Sequence, residues 1–176
     1  MENVGTAVML VGHGAAARDM PRSVLGELRS LAARRREDGV GEPSVREREL
    51  ERTVRGWPRT PETDPYKAGL ERVAVALGSR IAPIPVVAAY NELCSPSLDE
   101  ALVDLREGGF GRVLVMTTML TPGGNHAEVD VPTWVAAARA RNPKLEIEYV
   151  WPVDVDLFAE FLARTASPHL LAGGAP

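Results

Sequence analysis

Residues 112–141 read RVLVMTTMLTPGGNHAEVDVPTWVAAARAR, and their order decides the fold. Arg112 to Thr118 is a nearly continuous apolar and β-branched run, the pattern of a strand buried on both faces of a parallel sheet. Asn125 to Arg141 is Ala-rich and stops before Asn142-Pro143, as a helix does. The Gly-rich segment Leu120 to His126 turns the chain from one to the other. Strand, polar loop and helix in succession is the building unit of a doubly wound α/β domain.

The unit recurs on either side. Ala7 to Val11 (AVMLV) and Ile84 to Tyr90 (IPVVAAY) read as two more buried strands, and Leu145 to Trp151 (LEIEYVW) alternates as an edge strand would. Pro96 to Glu107 reads as a helix, with Ser95 as N-cap and Gly108-Gly109 as stop signal. In Asp154 to Arg164, Leu157, Phe158, Phe161 and Leu162 form one apolar face. These patterns predict an open parallel α/β sheet of about four strands.

The stretch from Arg22 to Arg80 is too long for one crossover and too periodic for a loop. Leu25, Leu28 and Leu31 mark one helix, Val45 to Val54 a second and Tyr66 to Leu77 a third, entered through the turn Thr60 to Pro65. The segment SVRERELERTVR alternates charge as a solvated helix does, so deletion of about 34–59 is expected to leave the sheet folded. The expected organisation is one domain over 1–166, with a helical insertion at about 22–80 in the first crossover. A flexible tail is expected over 167–176, His169 included.

Among the 176 residues, 20 Lys and Arg against 24 Asp and Glu give a net charge of −4, which argues against a general nucleic-acid binder. Hydrophobic residues make up 45% and charged residues 25%, which excludes a disordered chain. A single cysteine, Cys94, forms no internal disulfide and reads as a small buried residue. The opening MENVGTAVMLVGHG has no basic region, and its apolar run is too short for a signal peptide or membrane span. A cytoplasmic location, away from membranes, is therefore expected.

Ligands of a parallel α/β sheet bind beyond the carboxyl ends of the strands. Those ends deliver Gly12-His13-Gly14, Asn91-Glu92, the loop from Leu120 to His126, and Pro152-Val153-Asp154. One histidine after a strand commonly serves structure, but here two of the three histidines stand at strand ends with a carboxylate. His13, Glu92 and His126 together suit an open divalent-metal site. Neutral imidazoles, and Glu92 where desolvated, also accept protons. Gly12 and Gly14 leave room for a bulky ligand. Thr121, Gly123 and Gly124 offer backbone N–H groups to an anion, with Asn91 completing the expected substrate lining. The loop matches neither a Walker A nor a dinucleotide fingerprint, so no nucleotide is expected. Asp130, one helical turn beyond His126, is placed to orient its imidazole, and Trp151 to wall a planar ligand. Three uses fit such a site: a metal-handling enzyme, a non-catalytic metal or ligand carrier, or a metal-dependent lyase or hydrolase acting on an anionic small molecule.

VGHG at 11–14, YNELCSPSLDEAL at 90–102, VMTTMLTPGGNHAEVDVP at 115–132 and YVWPVD at 149–154 resemble the short CbiX-type sirohydrochlorin cobaltochelatases. These are class II chelatases, related to the ferrochelatase SirB. The likeness spans Val8 to Gly14 and then Val86 to Leu162. It implies a flavodoxin-like chelatase fold and ATP-independent insertion of a divalent metal, cobalt or ferrous iron and sometimes nickel, into the tetrapyrrole sirohydrochlorin. It further implies that His13 and His126 are the metal-binding, proton-accepting pair, that Glu92 is their acidic partner, and that the chain forms a homodimer. Arg18 and Arg112 are candidates to hold substrate carboxylates. The long charged insertion is a departure from the shortest chelatases.

Overall fold

A computed structural model of the chain describes residues 5–172. Four parallel strands, β1 (Gly5–Gly12), β2 (Val86–Tyr90), β3 (Phe110–Thr117) and β4 (Glu146–Tyr149), lie in the order β2-β1-β3-β4. Helices α1 (Arg22–Glu37), α2 (Val45–Arg55) and α3 (Pro65–Arg80) fill the first crossover. Helix α4 (Leu98–Glu107) fills the second, α5 (Val131–Arg141) the third, and α6 (Val155–Ala172) follows β4.

The continuous apolar runs are explained by helices on both faces of the sheet. Ala7, Met9 and Val11 of β1 pack with Val113 and Val115 of β3 against Leu102 and Leu105 of α4 and Val131 and Val135 of α5. Leu10 points the other way, onto Leu70 and Ala74 of α3 and onto Tyr90 and Cys94. Truncating Met9, which is fully buried, to Ala would cost about 2–5 kcal/mol by the usual scale for core deletions.

Register places the strand ends side by side. Gly12 pairs with Tyr90 of β2, and Val11 with Thr117 of β3. The chain leaves β1 toward one edge and returns from β2 across β1 to β3, so the topological switch point lies between β1 and β3, where open α/β sheets take their ligands.

Helix α4 starts later than the Ser95 cap predicts. Ser97 Oγ accepts the Glu100 N–H and the Glu100 carboxylate accepts the Ser97 N–H at 2.6 Å, a capping box whose Ser-x-x-Glu spacing Ser95 lacks. That backbone N–H, more than any other group, holds the Glu100 carboxyl below its ordinary range. Asp64 caps α3 by accepting the Lys67 N–H, with Pro65 at the first helical position.

The insertion differs from its expected solvated state. Leu50 and Val54 of α2 are buried, spaced four apart on the face turned inward. Of the three insertion helices, α1 alone buries no side chain; it is strapped to α2 by Arg35–Glu47 (3.0 Å) and Arg46–Glu27 (2.7 Å) ion pairs. The flexible tail expected over 167–176 begins within a helix, because α6 continues past Ser167 as far as Ala172. Leu170, Leu171 and Ala172 favour the helix, whereas Pro168 stands inside it without an N–H to donate, and the Thr165 and Ser167 hydroxyls bond back to the Phe161 and Ala163 carbonyls, which bends helices more than it braces them. His169 is exposed on this helix, and residues 173–176 lie outside the described ones. No described helix is long and apolar enough to cross a membrane.

Candidate metal centre

Beyond the strand ends the backbone ladder continues for two residues. Asn91 N–H donates to the Gly12 carbonyl and Glu92 N–H to the His13 carbonyl, both at 2.9 Å, and Thr118 N–H donates to the Val11 carbonyl at 3.0 Å. The ladder sets His13 beside Glu92. His13 Nε2 lies 3.0 Å from Glu92 Oε1 and His126 Nε2 lies 3.9 Å from the same oxygen, and the two imidazoles meet edge to face at 4.6 Å. One ligand atom from each of the three residues lies within 4.8 Å of the others. Tetrahedral metal bonds of about 2.0–2.2 Å set ligand atoms about 3.3–3.6 Å apart, so the three side chains would draw in around an ion.

Each imidazole is held so that its Nε2 lone pair faces the cluster. His13 Nδ1–H donates to the Gly14 carbonyl at 2.7 Å, and His126 Nδ1–H donates to Asp130 Oδ2 at 2.5 Å. With protons on both Nδ1 atoms, two lone pairs and a carboxylate oxygen converge, an arrangement that repels itself unless a cation or proton sits among them. The side chains of His13 and Glu92 are 43% exposed and that of His126 is 32%, so the centre opens to solvent. His126 and Asp130 lie on one π-helical turn, His126–Asp130, entered from Gly124 and running into α5. Such turns often occur at functional sites.

The expected lining residues fare differently. A Cβ on Gly12 would meet Leu70 at 2.6 Å, and one on Gly14 would meet the Glu92 carbonyl at 1.8 Å. Both glycines therefore make room for protein rather than for ligand, and Gly14 also needs its left-handed φ of 92°. The Gly-rich loop does not present the free anion nest expected of it. Gly123 N–H is taken by the Glu128 carboxylate at 2.8 Å and Gly124 N–H by the Thr121 carbonyl at 3.3 Å. The Asn91 amide lies 3.0 Å from His126 Nδ1, beside the ring rather than out in the cleft. Arg112 is corrected outright: it stands near the start of β3, at the opposite end of the sheet, paired with Glu146 and Glu148. Arg18 is exposed beyond the His13 loop. Trp151 stacks on Tyr149 at 6.2 Å. Cys94 is buried as expected, and burial pushes its thiol pKa up, away from nucleophile duty.

Three supporting residues escaped the sequence reading. Tyr66 Oη accepts the His13 N–H at 2.8 Å. Arg55 donates to the carbonyls of Cys94 (2.8 Å) and Asn91 (3.1 Å). Arg59 donates to the carbonyls of Leu93 (2.5 Å), Ala15 (2.7 Å) and Val54 (3.0 Å), and pairs with buried Asp64. The insertion thus grips the backbone on both sides of Glu92 and just after Gly14. Leu93, with a φ of 60°, is held in the left-handed region within that grip. The available signal was Leu50–Val54 at helical spacing with Arg55 and Arg59 four apart, outweighed by the surrounding charge.

An open parallel α/β sheet that gathers two histidines and a glutamate at its switch point defines an α/β protein with a candidate three-ligand metal site. The family model for CbiX matches residues 62–165, and the chain belongs to the CbiX family. The matched span holds Glu92, His126 and Asp130, while His13 comes from the segment before it. Among solved structures, the chain is similar to a putative cobalamin (vitamin B12) biosynthesis CbiX protein from Marinobacter aquaeolei VT8, with 16% identity, a TM-score of 0.56, and coverage of 96% of this chain and 99% of that one. It is also similar to SirB from Bacillus subtilis with Fe3+, with 16% identity, a TM-score of 0.54, and coverage of 98% of this chain and 48% of SirB. At such identity the likeness concerns the fold, and the chain spans about half the length of SirB. No curated protein matches the chain.

Proposed function

We propose that this chain is a sirohydrochlorin chelatase that inserts divalent cobalt or ferrous iron, with His13, Glu92 and His126 as the transient metal site. The observation that carries the reading is the convergence of two imidazole nitrogens and a carboxylate oxygen within 4.8 Å at an open strand-end site. Membership of the CbiX family supports the substrate class. The solved SirB with Fe3+ supports a metal of the first transition row.

Insertion exchanges two pyrrole N–H protons of the macrocycle for one M2+, so two protons must leave as the metal enters. A three-ligand site leaves positions open for water and for pyrrole nitrogens, and it holds metal less finally than a closed tetrahedral one. Glu92 offsets the ion's charge while the imidazoles bind it. As the metal passes to the macrocycle, the vacated Nε2 atoms accept the released protons. Asp130 stabilises the His126 ring as it turns imidazolium, holding its Nδ1–H throughout.

The same reading makes the chain a cytoplasmic homodimer. SirB, twice as long, is the support for pairing, together with α6, on which Leu157, Phe161, Leu162 and Leu170 stand exposed. An anaerobic absorbance assay with sirohydrochlorin and Co2+ or Fe2+ tests the function. Metallation faster than the protein-free rate and lost in His13→Ala is the expected result. Binding without acceleration would replace this reading with a carrier, and binding of neither component would end it.

A further inference from the structure

The metal centre is one end of a cleft of about 560 Å3 whose far wall is α1. His13, Glu92 and Leu93 line the near side; Leu28, Arg29, Ala32 and Arg36 line the far side. These α1 positions recur at helical spacing, so one face of α1 looks into the cleft. That face does not serve the core, because α1 contributes no buried side chain.

The charges of the cleft are sorted by end. Glu47, nearly fully buried, is neutralised by Arg35 at 3.0 Å, and Glu51 stands 3.5 Å from Arg55. Arg29 and Arg36 make no ion pair or side-chain hydrogen bond among the described residues, and both are exposed. The α1 wall is therefore electropositive and the opposite wall, at Glu92, attracts cations. Arg29 and Arg36 stand seven positions apart on the helix, about 10 Å along its axis. A ligand matching this cleft carries anionic groups along one rim and a cation-accepting centre about a molecular radius away. Leu28 and Ala32 give its body an apolar bed.

From this arrangement we infer that α1 is a substrate wall on which Arg29 and Arg36 bind two rim carboxylates of a polycarboxylate macrocycle, turning its nitrogens toward His13 and Glu92. The inference rests on the proposed function and adds the residues by which this chain selects its substrate. They lie in the segment before residue 62, where the family match begins. They also replace Arg112, which stands at the wrong end of the sheet.

The test is the double variant Arg29→Gln/Arg36→Gln, which keeps side-chain length and helix propensity. Binding of metal-free sirohydrochlorin is followed by quenching of tryptophan fluorescence, with the KM for metallation measured alongside and Co2+ binding titrated separately. Loss of two charge-assisted contacts is expected to raise both the Kd and the KM about tenfold or more. Co2+ binding should stay at the parental value. Methyl-esterified sirohydrochlorin should bind parent and double variant alike, and Arg112→Gln should match the parent, which separates local contact from general charge. A KM and Kd within about twofold of parental overturn the inference and leave the chelatase reading intact. A parent chain that neither binds nor metallates sirohydrochlorin overturns the chelatase reading, and this inference with it.

Discussion

Arg59→Met is the substitution that most directly asks whether the insertion holds the metal centre together. The Arg59 side chain is 6% exposed and its partner Asp64 is 1% exposed. Its two terminal nitrogens serve the carbonyls of Ala15, Val54 and Leu93 as well as Asp64, while its Nε is buried without a partner. Methionine fills comparable space but leaves the Asp64 carboxylate buried and uncompensated. Breaking one side of a buried pair costs about 3–5 kcal/mol. For a domain this size, where 1 kcal/mol moves Tm by about 2–4 °C, the expected drop is about 6–20 °C. Arg59→Met/Asp64→Asn removes the orphaned charge and keeps an N-cap oxygen for Lys67 N–H, so it should be less destabilised than the sum of the two single variants. Thermal and urea unfolding of the four proteins give the cycle directly. A loss under about 1 kcal/mol, or plain additivity, refutes the buried-clamp reasoning.

Gly14→Ala places a methyl group 1.8 Å from the Glu92 carbonyl at a φ of 92°, so Co2+ affinity by calorimetry should fall along with about 1–3 kcal/mol of stability. His126→Ala should end metallation while the melting temperature stays near parental; a collapse of the fold instead would assign the ring to structure. Asp130→Asn should weaken Co2+ binding about 10–100-fold, since the contact that orients the His126 ring loses its negative charge, and unchanged affinity would remove Asp130 from the site. Cys94 should resist a thiol-specific disulfide reagent in the native state and react stoichiometrically in denaturant, because burial both shields the sulfur and raises its pKa; fast native labelling would contradict the packing. The proposed pairing through the exposed face of α6 predicts a dimeric parent and a monomeric Phe161→Glu variant by light scattering, and a monomeric parent would end it.

How much of this was legible beforehand depends on the range over which each feature is encoded. The strands were legible because two-sided burial writes itself as uninterrupted apolar residues, as in Ala7–Val11 and Val113–Met116. The triad was legible because the parallel arrangement sends every strand's carboxyl end to one edge, so polar residues just past a strand need no further pairing information to be brought together. The glycines misled for a related reason: Gly12 and Gly14 look like open space in the sequence, yet what fills that space is Leu70 and the Glu92 carbonyl, both distant along the chain. Arg55 and Arg59 are the sharper case. A charged side chain is read as solvated because desolvating it is costly, and that default fails only where several carbonyls converge on it. Here the carbonyls come from three segments, Ala15, Val54 and Asn91–Cys94, and no local pattern reports such a meeting. The hairpin over about 34–59, expected to be dispensable, therefore joins two unlike parts, α2 and the end of α1. The one buries Leu50 and Val54 and clamps the Glu92 loop, while the other buries nothing and faces a cleft. Excising the whole hairpin should therefore unfold the centre. Replacing the cleft-facing arginines of α1 alone should spare the fold and change only what the cleft accepts.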